Sequence, residues 1–91
     1  MHAVAVRVTI NDQEPAEAML REQIVPTVSQ APGFVAGYWT RSDDGSNGQS
    51  MVVFDSEEAA QGMAQRLQGE GTGSDAVTLD GVEVREVVAS A

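Results

Sequence analysis

From Ala3 to Ile10 the chain alternates without interruption, with Val4, Val6, Val8 and Ile10 on one side and Ala3, Ala5, Arg7 and Thr9 on the other. A period of two is that of a half-buried strand, so a first strand is predicted here. After Asn11 the period changes: Ala16, Leu20, Ile24, Val28 and Ala31 recur at three- and four-residue spacing, with Glu14, Glu17, Arg21, Glu22 and Gln30 between them. This is an amphipathic helix, with Asp12 placed as its N-cap and Pro15 in its first turn. Pro26 lies inside the pattern and has no N–H to donate, which predicts a kink or break near Glu22 to Val25.

Pro32-Gly33 turns the chain into a second strand, Phe34 to Ser42. Strict alternation there places Phe34, Ala36, Tyr38 and Thr40 on one face and Val35, Gly37, Trp39 and Arg41 on the other. The turn formers Asp43 to Gly48 lead into a third strand, Gln49 to Asp55, closing a hairpin. A second helix follows, capped by Asp55 or Ser56, with Asp55 and Glu58 at the spacing of a capping box and Ala60, Met63, Ala64 and Leu67 as the apolar stripe. Gly69 to Asp75 reads as a flexible acidic connection. A last strand runs from about Val77 to Ala89, with a bend or bulge at Asp80-Gly81.

The order β-α-β-β-α-β predicts an α+β, ferredoxin-like unit: a four-stranded antiparallel sheet with two helices on one face. The other face is left bare. With Ala3, Ala5, Tyr38 or Trp39, and Val87 among its candidates, it is too apolar to face water, and a second copy of the chain is the simplest cover.

Composition narrows the chemistry. Ninety-one residues form a single domain, 1–91, and a chain of this length buries only roughly 60–65% of its unfolded surface, which also favours a homodimer. Neither Cys nor Lys occurs. Disulfides, thiol catalysis, Schiff bases and a phosphate-loop lysine are thereby excluded. Fourteen acids against five arginines give a net charge of −9, a field that disfavours nucleic acid and anionic membrane partners. No apolar run has the length of a membrane span and Met1-His2-Ala3-Val4 lacks the character of a signal sequence, so a cytoplasmic location is expected.

Candidate chemistry concentrates in Ala31-Pro32-Gly33-Phe34-Val35-Ala36-Gly37-Tyr38-Trp39-Thr40-Arg41, which holds three of the four aromatic residues, including the only Trp and the only Tyr. Aromatic faces make this strand the expected place for a planar ligand. That stretch, together with Val52-Val53-Phe54-Asp55-Ser56-Glu57-Glu58-Ala59 and Val82-Glu83-Val84-Arg85-Glu86-Val87, resembles the antibiotic biosynthesis monooxygenase-like branch of the dimeric α/β-barrel superfamily. The resemblance covers nearly the whole chain. It implies a dimeric barrel of two face-to-face sheets, a pocket between each sheet and its helices, and one of several activities: cofactor-independent oxidation of aromatic phenols to quinones, heme degradation, or none established. No cofactor and no metal are implied for the first.

The phenol-oxidising type resembles a site of Trp, Tyr, Asn and Arg; here Trp39, Tyr38, Asn11 and Arg41 (or Arg7) supply those residue types. The heme-degrading type resembles an Asn, Trp and His set with the His on the second helix, where this chain has Gln61, Gln65 and Arg66, and its only His is His2. Each candidate also has a structural reading. Trp39 could pack in the core or dimer contact, and Tyr38 could pack over a helix. Arg7 could pair with Glu83 or Glu86, and Asn11 could be a turn residue. The segment Asp43 to Phe54 departs from a calcium loop at Gly45 and Phe54, and reads as a turn. Two function classes follow: an oxidoreductase acting on a small phenol or hydroquinone, or a non-catalytic homodimeric ligand-binding or structural module.

Overall fold

A computed structural model of the chain describes residues 1–71 and 75–91. Four strands, β1 (His2–Ile10), β2 (Phe34–Arg41), β3 (Asn47–Phe54) and β4 (Val77–Glu86), form one antiparallel sheet in the order β2-β3-β1-β4. The helices α1 (Gln13–Met19), α2 (Val25–Ser29) and α3 (Glu57–Glu70) cross it in the β-α-β-β-α-β order that the periodicity predicts. Last-strand pairing ends at Glu86, three residues short of the expectation; Val87 still donates its N–H to the Met1 carbonyl at 3.0 Å.

α1 and α2 are two parts of one helical arm, joined by a π-helical turn over Leu20–Ile24. Pro26 accounts for it. Without an N–H it cannot bond the carbonyl four residues back, and the ladder slips to a wider register in which Val25 donates to the Leu20 carbonyl. The kink expected near Glu22 to Val25 is thus a widened turn, and it begins two residues earlier.

Three local expectations are corrected. Ser56, not Asp55, is the N-cap of α3: its hydroxyl accepts the Ala59 N–H at 3.2 Å, so Asp55 and Glu58 do not form a capping box. Gly69 and Glu70 belong to α3 rather than to a connection, and the part of that connection at 72–74 lies outside the described residues. Strict alternation also fails at the start of β2. Phe34 pairs with Phe54 while Ala36 pairs with Val53, so Val35 is an extra residue and Phe34 faces the opposite side from Ala36 and Tyr38.

That bulge completes the core. Phe34 meets Phe54 edge to face, with ring centroids 6.4 Å apart. Val4, Val6, Val52, Phe54, Ala60 and Ala64 form the buried cluster, and the two alanines let α3 approach the sheet closely. The Pro32-Gly33 turn holds the entry to β2: Gly33 has φ of 84°, a left-handed conformation suited to glycine, and its carbonyl accepts the Asp55 N–H at 2.8 Å. Among the described residues no helix is long and apolar enough to cross a membrane.

Candidate functional site

Register assigns every strand residue to a face. Toward the helices, one row across the sheet reads Trp39, Ser50, Val6, Val82, and the next reads Arg41, Gly48, Val8, Leu79. The second row skips one residue of β4: the shift between Arg7 and Val8 is the irregularity foreseen at Asp80-Gly81. Toward the uncovered side, Tyr38, Met51, Ala5 and Glu83 form a row, followed by Thr40, Gln49, Arg7 and Gly81. Trp39 and Tyr38 therefore serve opposite faces.

Between the sheet and the helical arms is a cleft of about 410 Å³. Its walls are apolar: Met19, Leu20 and Ile24 come from the first arm, Met63 and Leu67 from α3, and Trp39 from the sheet. Leu20 and Ile24 bound the π turn, so the widening forced by Pro26 occurs where the arm meets the cleft. The volume falls within the roughly 300–1,000 Å³ of small-molecule pockets. Trp39 is half-buried and partly packed on the core.

Charge enters the cleft at one edge. Arg41 Nε lies 3.7 Å from Glu17 Oε1, and the same carboxylate is 3.6 Å from Arg21 and accepts a hydrogen bond from Gln13 Nε2 at 3.0 Å. Two guanidinium groups share one carboxylate there. Among the described residues lining the cleft, Arg41 is the cation, set against the carboxylates of Glu17 and Glu70. Glu70, also on the cleft, lies 4.0 Å from Arg66.

The sequence-derived candidates separate. Trp39 and Arg41 meet in the cleft, whereas Tyr38 stands on the uncovered face, 70% exposed. Asn11 fastens the end of β1 to the start of β4: its Nδ2 donates to the Thr78 hydroxyl at 2.9 Å and to the Asp75 carbonyl at 3.1 Å. It is a turn residue. Arg7 crosses the uncovered face against Gly81, while Glu83 is paired with Arg85. His2 lies 3.3 Å from Glu57 at the other end of β1 from the cleft.

Glu17 and Ser50 line the cleft but were not singled out from sequence. Glu17 precedes Leu20 by three positions, so helical spacing brings it to the edge of the stripe that faces the sheet. Ser50 interrupts the apolar alternation of Val52 and Phe54 on β3, and that interruption was the available signal.

The turn between β2 and β3 is built around Asp44. One oxygen, Oδ1, accepts from the Ser46 hydroxyl at 2.7 Å, the Ser46 N–H at 3.0 Å and the Ser42 hydroxyl at 2.7 Å. These bonds, those from Ser46 foremost, hold the carboxyl down at a pKa of about 2 against an ordinary 3.8.

With this geometry the fold can be placed among known structures. A dimeric ferredoxin-like protein from an uncultured marine organism superposes with a TM-score of 0.62 at 12% identity, over 99% of this chain and 97% of that one. The chain has the ferredoxin-like fold. The cofactor-independent oxygenase SnoaB from Streptomyces nogalater superposes on it at 0.60 with 14% identity, over 98% and 95% of the two chains. A monooxygenase from the gene ActVA-Orf6 of Streptomyces coelicolor, solved with nanaomycin D, does so at 0.57 with 19% identity, over 98% and 92%. No family model matches the sequence, and no curated protein matches it either.

Proposed function

We propose that this chain forms a dimeric α/β barrel and binds a small aromatic molecule of the phenol or hydroquinone type in the cleft between sheet and helices, oxidising it with molecular oxygen without a cofactor. One observation carries the reading: an apolar cleft of about 410 Å³ has the chain's only Trp in its wall and a shared Arg–Glu–Arg cluster at its edge. Trp39 offers a face for the ring. Arg41 stabilises the phenolate oxygen, and Glu17, 3.7 Å from Arg41, is placed to take the phenolic proton. For an anthrone the balance is simple. The ring methylene loses two hydrogens and gains one oxygen atom from O2, and the other oxygen atom leaves as water. The likeness to two oxygenases of the same fold supports this choice of reaction.

The dimer is supported by the uncovered sheet face, where Tyr38 is 70% and Met51 41% exposed beside Ala5, and by a similar protein described as dimeric. Tyr38 belongs to that contact rather than to the catalytic set, and Asn11 to a turn. A second reading, binding without turnover, is favoured by one fact: the charged groups of the cleft already lie near partners, Arg41 by Glu17 and Glu70 by Arg66. Oxygen uptake with anthrones and hydroquinones separates the two. Turnover by the wild type that disappears in Trp39→Ala and Arg41→Gln supports the oxygenase; uptake at the buffer rate by all three leaves the binding module.

A further inference from the structure

The row Trp39, Ser50, Val6, Val82 contains one polar side chain in an otherwise apolar floor. Ser50 is half-buried, and its hydroxyl sits in the wall of the cleft. A strand position beside Val6 and between Val52 and Gly48 would be filled at no polar cost by Val or Ala, so a hydroxyl there offers a polar contact to whatever occupies the cleft. Arg41 stands two residues farther along β2 than Trp39, the cross-strand neighbour of Ser50. That offsets the two positions by about 7 Å along the strand direction. The position opposite Arg41 is Gly48, where the side chains of Val8 and Ile10 close the floor.

We infer that Ser50 is a specificity-determining residue, and that the cleft selects planar ligands bearing two oxygen functions at opposite ends: an ionised one at Arg41 and a neutral hydroxyl or carbonyl at Ser50. This rests on the cleft being the ligand site. The aromatic body between the two oxygens lies against Trp39, with Met63 and Leu67 facing it from α3. A ligand lacking the inner oxygen leaves the serine unpaired, and a phenol too short to span both groups gains only one of them.

Two probes of equal shape test it: 2-naphthoate, with an anionic oxygen group only, and 6-hydroxy-2-naphthoate, which adds a hydroxyl at the far end. Binding is followed through the emission of Trp39, the single tryptophan. The wild type is expected to bind the hydroxylated probe about tenfold more tightly. Ser50→Ala should abolish that preference, leaving the two probes with similar affinity, and Arg41→Gln should weaken both probes. Equal affinity of the wild type for the two, unaffected by Ser50→Ala, would overturn the role of Ser50 and leave the cleft as the site. Failure of both probes to bind the wild type would overturn the cleft reading and this inference with it. The wild-type comparison needs no variant, so a folding defect in Ser50→Ala cannot obscure the outcome.

Discussion

The indole of Trp39 lies over the backbone of Gly37, so close that a Cβ at Gly37 would fall 2.7 Å from ring carbon Cη2 and 2.8 Å from Cζ3. Both residues face the helices, and the absent side chain of one is the resting place of the other. The same missing methyl group brings Phe34 within reach, 3.5 Å from that Cβ position. Gly37 thereby links the aromatic core to the cleft wall.

Gly37→Ala should therefore cost stability and move the indole. Overpacking of this kind costs about 1–3 kcal/mol. Urea unfolding measures the loss, and a shifted Trp39 emission maximum reports the displacement. In a Trp39→Ala background the same substitution should cost much less, because the clash has no partner.

Acid should weaken the turn at Asp44. Its carboxyl has a folded pKa of about 2, below the ordinary 3.8, so the stability it contributes is present above about pH 4 and is lost as pH falls toward 2. Asp44→Asn removes the charge and keeps an acceptor. The variant should unfold at lower urea concentration than wild type at pH 6, with the gap narrowing by pH 2. A gap of constant size across this range would contradict the assignment.

The uncovered face should hold the dimer. Tyr38, on the edge strand β2, and Met51 are cross-strand neighbours on it, and a charge there would have to be desolvated against a second copy. Light scattering at micromolar concentration should find the wild type dimeric and Tyr38→Asp monomeric, with similar circular dichroism. A wild-type monomer would contradict the barrel.

Much of the fold was legible because single physical signals decided it. Val4, Val6 and Val8 show their common face by alternation alone, and Pro26 announces a disturbed helix through its missing N–H. Phe34 faces the side opposite to the one strict alternation predicts, because a bulge adds one residue without a polar marker and Phe-Val-Ala is apolar throughout. Ser56 outcompeted Asp55 as cap because the helix begins one residue later, at Glu57.

The cleft was legible only in part. Trp39 and Arg41 are two residues apart on one strand, so alternation alone puts them on one face. Glu17 and Ser50 join them through tertiary geometry: the first depends on how the bent arm lies across the sheet, the second on which face of β3 it covers. Tyr38 and Asn11 do not line the cleft with Trp39 and Arg41. A set of residue types taken from a resemblance carries no information about faces.

Methionine methyl groups offer the most direct test of the cleft as the binding site. Met19 and Met63 line it, Met51 stands 41% exposed on the opposite face of the sheet, and Met1 lies at the exposed chain start. In protein labelled with 13C at the methionine methyls, titration with 6-hydroxy-2-naphthoate should shift the Met19 and Met63 resonances through the ring current of the bound aromatic, saturably, and leave Met51 and Met1 in place. Shifts confined to Met51, or no saturable shift at any methionine, would contradict the account.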